Sequence, residues 1–249
     1  MTESGRGRAP GWLQPVWPAP ANVRAMQTLR TGGISDGVWS SLNLGDHVGD
    51  DEDHVAENRR RVGAMLPGAP LWLKQVHGLT VADADVATGV PEADAAVARQ
   101  TGRVCAVMTA DCLPLLLCDR AGSVVAAAHA GWRGLQAGVI EATVAAMRVQ
   151  GAEVLAWLGP AIGPEAFEVG DEVRQAFVAE APSADAAFSS HGTGKWLADL
   201  YSLARQRLAG CGVTAVFGGD FCTFGDAQRF YSYRRDGVTG RMATLIWRT

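Results

Sequence analysis

Short apolar runs of β type alternate along this chain with stretches of helical periodicity, and that alternation restricts the fold more than any other feature. The β-type runs are Val23 to Leu29, Leu71 to Val76, Val104 to Met108, Pro114 to Cys118, Val124 to Ala128, Val154 to Leu158, Val213 to Phe217 and Met242 to Trp247. Helical patterns fall among them at Asp53 to Leu66, Gly134 to Val149, Asp171 to Ala179 and Leu197 to Ala209. On the second of these Val139, Thr143, Val144 and Met147 share a face, and Gly151 is placed to end it. Each apolar face has to be buried against another element. The expected fold class is therefore α/β, a single layered domain with helices covering a mixed β-sheet and the active site at strand ends. A chain of 249 residues, 48% apolar, can bury such a core. The expected catalytic domain spans 21–249, and residues 1–20, rich in Pro, Gly and Arg and poor in periodic apolar positions, are read as a mobile tail.

Charge and cysteine usage narrow the partners. A net charge of -4 gives no basic field to neutralise phosphates along a nucleic acid, so no nucleic acid polymer is expected as a partner. The N-terminus lacks the apolar stretch of a secretory signal, and no later run is long enough to cross a bilayer, so no membrane is expected either. Five cysteines, with no Cys-x-x-Cys pair, read as reduced thiols in a cytoplasmic enzyme.

Three stretches put a metal-capable or nucleophilic side chain where a strand gives way to a loop. In Leu73-Lys-Gln-Val-His77-Gly78 the imidazole follows an apolar run directly and precedes a glycine. Thr109-Ala-Asp111-Cys112-Leu-Pro114 places Cys112 at a break between two strands. Ala127-Ala-His129-Ala-Gly131-Trp-Arg-Gly134 ends a small-residue strand in His129 and turns into a helix start. Two imidazoles and a thiolate are a borderline-soft set suited to Zn²⁺, with the fourth tetrahedral position left for water or substrate. Such an ion would keep a net positive charge and acidify a bound water. From spacing alone, strand-end packing roles for the same residues remain open.

These stretches, together with Leu158-Gly-Pro-Ala-Ile-Gly163 and Phe230-Tyr-Ser-Tyr-Arg-Arg-Asp-Gly237, resemble the laccase-domain family, the multicopper polyphenol oxidoreductases of older usage. The similarity runs over essentially the whole chain after the tail. It implies a zinc-dependent purine nucleoside phosphorylase acting on adenosine, inosine, guanosine and methylthioadenosine, with adenosine deaminase activity. It also implies that the metal sits on His77, Cys112 and His129. The substrates would then be a purine nucleoside and phosphate.

The older label fits the residues poorly, because several copper ions need many imidazoles and this chain has five histidines and no His-x-His. His47, His54 and His191 are expected as surface or structural residues. Cu²⁺ could load the single site in vitro, which leaves a copper-dependent polyphenol oxidase as the weaker alternative. Deamination needs a proton shuttle, for which Asp111 and Asp94 are available, Asp94 more readily as a structural turn residue. Phosphorolysis needs a cationic phosphate site, and the sequence offers Arg59, Arg234 and Arg235, with Ser40 and Asn43 in a polar loop able to bind ribose or phosphate. Phe167 could stack on the purine or pack in the core. Another class stays open, a cysteine hydrolase with Cys112 as nucleophile acting on an amide such as a peptidoglycan precursor.

Overall fold

The computed structural model describes residues 11–249; residues 1–10, the first part of the expected tail, lie outside the described residues. The segment from Gly11 onward is tied down. Trp12–Leu13 (β1) pairs antiparallel with Val23–Thr28 (β2), and the Leu29 N–H donates to Gly11 O at 2.9 Å.

The fold is mixed α/β, but in place of one covered sheet the described residues form three. With strands numbered along the chain, the first sheet runs β1, β2, β14 (Met242–Arg248), β6 (Val104–Thr109) and β3 (Pro70–Leu71), with only β3 and β6 parallel. The second runs β13 (Ala215–Gly218), β9 (Val154–Leu158), β7 (Leu113–Asp119), β8 (Val125–Ala130), β5 (Ala95–Ala98) and β4 (Val81–Asp83), parallel at its two outer pairs. A small antiparallel sheet joins β10 (Glu168–Gly170), β12 (Lys195–Ala198) and β11 (Phe188–Ser190). The helices are α1 (Glu52–Gly63), α2 (Trp132–Ala137), α3 (Val139–Met147), α4 (Asp171–Glu180), α5 (Leu200–Gly210) and α6 (Tyr233–Asp236).

The period of two in β7 divides the core. Leu113, Leu115 and Leu117 pack with Leu135 of α2, Val139, Ile140, Val144 and Met147 of α3 and Leu203 and Leu208 of α5. Leu116 and Cys118, on the other face, pack with Cys105 and Val107 of β6 and Ile246 of β14. A strand buried on both faces reads as an unbroken apolar run, as Leu-Pro-Leu-Leu-Leu-Cys does here. The alternate residues of β6 and β14 (Val104, Ala106, Met108, Ala243 and Leu245) close over Leu42, Leu44 and Val62 of α1. Burying each such leucine stabilises the fold by about 1.5–3 kcal/mol relative to exposure.

Four expectations need correction. The run from Leu71 to Val76 leaves the sheet after Leu71, and beyond it only Lys74 makes an isolated bridge, to Glu92. The helix expected from Gly134 to Val149 is broken at Gly138, whose φ of 108° suits the αL conformation that glycine tolerates. It then ends at Arg148, in αL itself, rather than at Gly151. The last expected helix loses its first residues to β12 and begins at Leu200, where Asp199 accepts from the Ser202 N–H at 3.0 Å. The predicted helical face of Val139, Thr143, Val144 and Met147 is buried as expected.

Candidate metal centre

Three segments converge on one group. Cys112 immediately precedes β7, His129 is the penultimate residue of β8, and register places it opposite Pro114. His77 comes from the loop that follows β3, and its backbone is held in the left-handed region at φ 62°. A histidine pays a conformational cost there, which the surroundings must offset. They do so through Asp94, a fully buried carboxylate whose oxygens accept from the N–H groups of Val76 at 3.1 Å, His77 at 2.9 Å and Gly78 at 2.6 Å. The same carboxylate accepts from His129 Nδ1 at 2.8 Å, so one side chain fixes the backbone of one imidazole and the ring of the other. This leaves His129 Nε2 free for an ion.

The ligand atoms of His77, Cys112 and His129 all lie within 4.8 Å of one another. Cys112 Sγ is 3.8 Å from His77 Nε2, close to the roughly 3.6 Å separation set by tetrahedral Zn–S and Zn–N bonds. The two rings meet edge-on with centroids 4.7 Å apart. A β-carbon at Gly131 would approach His77 Cδ2 to 2.7 Å and Cys112 Sγ to 2.9 Å, so glycine is what lets the chain turn beneath the cluster. The donor set and its spacing fit one transition-metal ion.

Without an ion, electrostatics set a Cys112 thiolate against a His129 imidazolium, so binding a metal there releases the His129 proton. Burial by itself would push the Cys112 thiol up, but the charge of His129 and hydrogen bonds from both imidazoles bring it down to about 6. Burial would push His129 down, yet the facing thiolate and Asp94 raise it to about 9. Asp94 is held below the usual carboxylate range, because the hydrogen bonds from His129 and the backbone outweigh its burial.

The cluster opens into a cavity of about 550 Å³, a size suited to a small organic ligand. Trp132, Ile162, Phe167, Leu200 and Tyr233 give it apolar and aromatic walls, and Asp111, Arg133, Arg234 and Arg241 bring charge. Asp111 is the one carboxylate in that lining. With φ at 94°, its two oxygens accept from the Thr223 hydroxyl and the Arg234 N–H, both at 2.6 Å, which ties α6 to the site. Arg234 lies 5.2 Å over the Phe167 ring and donates to Glu168 O at 2.7 Å, so Phe167 takes part in the cavity wall.

Other expected site residues lie elsewhere. Arg59 does not line the cavity; its Nε donates to Leu44 O at 2.9 Å and Nη2 meets Asp46 Oδ2 at 3.1 Å. Asn43 is fully buried and closes its own loop, bonding Gly45, Asp50 and the Arg241 N–H. Ser40 is absent from the lining, and its carbonyl accepts from Arg30. Arg235 is spent on Asp236 and on the carbonyls of Thr223, Phe224 and Phe230. His47, expected at the surface or in a structural role, is exposed and lines the cavity, with Nδ1 3.3 Å from Asp46. Sequence reasoning missed Gln75, Thr109 and Arg241. The Gln75 side-chain amide both donates to Met108 O and accepts from Met108 N, standing in for a strand beside β6. The available signal for Arg241 was its place between Gly240 and the first residue of β14.

Among the described residues, no helix is long and apolar enough to cross a membrane. A protein of Pseudomonas aeruginosa named purine nucleoside phosphorylase is 60% identical over 95% of this chain and 98% of its own length. The Escherichia coli K12 protein named purine nucleoside phosphorylase YfiH is 57% identical over 94% and 98%. Among solved structures, Neisseria meningitidis protein NMB0706 superposes with a TM-score of 0.93 at 53% identity, over 95% of this chain and 98% of that one. YlmD from Geobacillus stearothermophilus does so at 0.90 and 32%, over 97% of each chain. Residues 24–249 match the family model described as multi-copper polyphenol oxidoreductase laccase, and the chain belongs to that family.

Proposed function

We propose that this protein is a zinc-dependent purine nucleoside phosphorylase that also deaminates adenosine. The observation that carries the reading is the 60% identity, over 95% of the chain, to a relative named for that phosphorylase activity. The cavity supports it, since about 550 Å³ with aromatic walls, a metal-capable cluster and guanidinium groups meets the needs of a nucleoside and an anion. A divalent ion on His77, Cys112 and His129 would supply Lewis acidity. Phe167 and Trp132 in the cavity wall would stack on a purine, and Asp111, the carboxylate of that lining, would move the proton. In phosphorolysis a phosphate oxygen bonds to the anomeric carbon as the glycosidic C–N bond breaks, and the departing purine takes up a proton. In deamination water adds at C6 and ammonia leaves, which turns adenosine into inosine. Adenosine, inosine, guanosine and methylthioadenosine are the proposed substrates, and a reducing, cytoplasmic setting keeps the thiols free.

One observation favours a second reading. Cys112, lowered to about 6 beside His129, has the makings of a nucleophile and base, as in a cysteine hydrolase acting on an amide. The polyphenol oxidase reading is weaker, because a single group of potential ligands forms among the described residues. Product analysis separates them. The phosphorylase yields adenine and ribose-1-phosphate from adenosine with phosphate, yields inosine and ammonia without it, and loses both on Cys112→Ala or chelation. Amide cleavage that survives chelation and stops on thiol alkylation would give the site to the hydrolase instead.

A further inference from the structure

Of the three guanidinium groups in the cavity lining, Arg133, Arg234 and Arg241, none is in an ion pair among the described residues, and Arg241 is the one that is not exposed. Arg241 is half-buried, and its side-chain hydrogen bonds go only to the carbonyls of Thr239 at 3.0 Å and Gly240 at 3.1 Å, both through Nη1. Among the described residues it makes no ion pair, whereas Arg59, Arg174, Arg207 and Arg229 each have a carboxylate within reach. Burial pushes its ionisation down, and the charges that oppose this belong to Cys112 and Asp111 in the cavity wall. It is held near the loop of Asn43: the backbone N–H donates to Asn43 Oδ1 at 2.8 Å, and the start of the side chain packs so closely on Gly45 that a β-carbon there would meet Arg241 Cγ at 2.8 Å. The residue after it, Met242, pairs with Thr109 at the end of β6.

Thr109 supplies an independent observation. The residue is in the lining of the same cavity and is 1% exposed, and its buried hydroxyl finds no partner within the protein. A buried hydroxyl without a partner is costly, and a ligand oxygen relieves that cost. A guanidinium with Nε and Nη2 uncommitted and an unsatisfied hydroxyl, both from residues of one cavity lining, are donors with no acceptor, which is the chemistry of a tetrahedral oxyanion.

We propose that inorganic phosphate binds in this cavity on the Arg241 guanidinium, with the Thr109 hydroxyl as a second donor. This rests on the phosphorylase reading for its use in turnover, and it gives to Arg241 the role that the sequence offered to Arg59 and Arg234. Arg59 is turned to Asp46, outside the cavity. Arg234 is exposed, stacked on Phe167 and bonded to a carbonyl, so water screens it more.

The test uses the metal-replete full chain with two readouts, the KM for phosphate in adenosine phosphorolysis and the affinity for inorganic phosphate by calorimetry without nucleoside. Arg241→Ala should weaken both by about tenfold or more, Thr109→Val by about two- to fivefold, and Arg234→Ala by less than about twofold. Arg241→Lys should fall between wild type and Arg241→Ala, because it keeps the charge and loses the fork. Metal content and the adenosine KM should stay near wild type. Thr109→Val keeps the test alive should Arg241→Ala fail to fold. A metal-replete Arg241→Ala protein with wild-type phosphate KM and affinity overturns the proposal and leaves the phosphorylase reading standing. Phosphate affinity that depends on Arg241 in a wild type making no adenine does the reverse. A nucleotide's phosphate offers the same oxygens, so adenosine 5′-monophosphate is titrated in parallel. If it alone loses affinity in Arg241→Ala, the ligand is the ester and the proposal for free phosphate falls.

Discussion

At the scale of single residues, the site is governed by how burial and partners divide protons. Cys112 is lowered to about 6, whereas burial raises Cys118 to about 12 and moves Cys105 in the same direction. In chelated protein Cys112 should alkylate at neutral pH with a rate midpoint near 6, while Cys105 and Cys118 stay inert, and restoring the metal should protect it; peptide mass analysis against pH checks this. The sign for stability comes from linkage. The Cys112 contribution is present above its ordinary value of 9.0 and is lost as pH falls through about 6. That of His129 is present below its ordinary 6.5 and is lost as pH rises through about 9. Metal-free protein should therefore melt highest between these limits. Asp94 acts through both imidazoles, so Asp94→Asn should lower metal affinity by about 10- to 100-fold, read by competition with a chromophoric chelator. Unchanged affinity would reduce Asp94 to a loop brace.

At the scale of elements, the junction between β8 and α2 does the positioning. Gly131 has φ −60°, so alanine suits its backbone, but the added carbon would push at His77 and Cys112. Gly131→Ala should keep the circular dichroism spectrum and lower metal occupancy at least as much as activity. The break between α2 and α3 behaves oppositely: Gly138→Ala forces a side chain into φ 108° and should cost about 1 kcal/mol or more in urea unfolding, with the metal site intact. The alanine-rich β5 explains a gap in the sequence reading, because alanine favours helices locally and nothing in Ala95–Ala98 marks a strand. Pairing of Ala95 to Ala98 with Ala128 to Val125 overrides that preference.

At the scale of the whole molecule, the metal would clamp the loop after β3 to the adjoining ends of β7 and β8, so binding and stability must be linked. Chelation should lower the melting temperature and zinc should restore it in a concentration-dependent way, measured by scanning calorimetry; a melting temperature indifferent to metal would show that the cluster is assembled without need of an ion. The sequence by itself determined the α/β class, most core strands, the buried face of α3 and the three metal-capable side chains that converge, because these depend on local periodicity and on residue types whose chemistry is recognisable wherever they sit. The division into three sheets, the pairing of the early Trp12–Leu13 strand and the burial of Asp94 against both imidazoles arise only from long-range contacts. The exchange of Arg59 for Arg241 in the cavity has the same origin. An arginine reads alike in any loop, and only the packing of Asn43 and Gly45 against the start of β14 brings Arg241 to the cavity, while Asp46 holds Arg59 outside it.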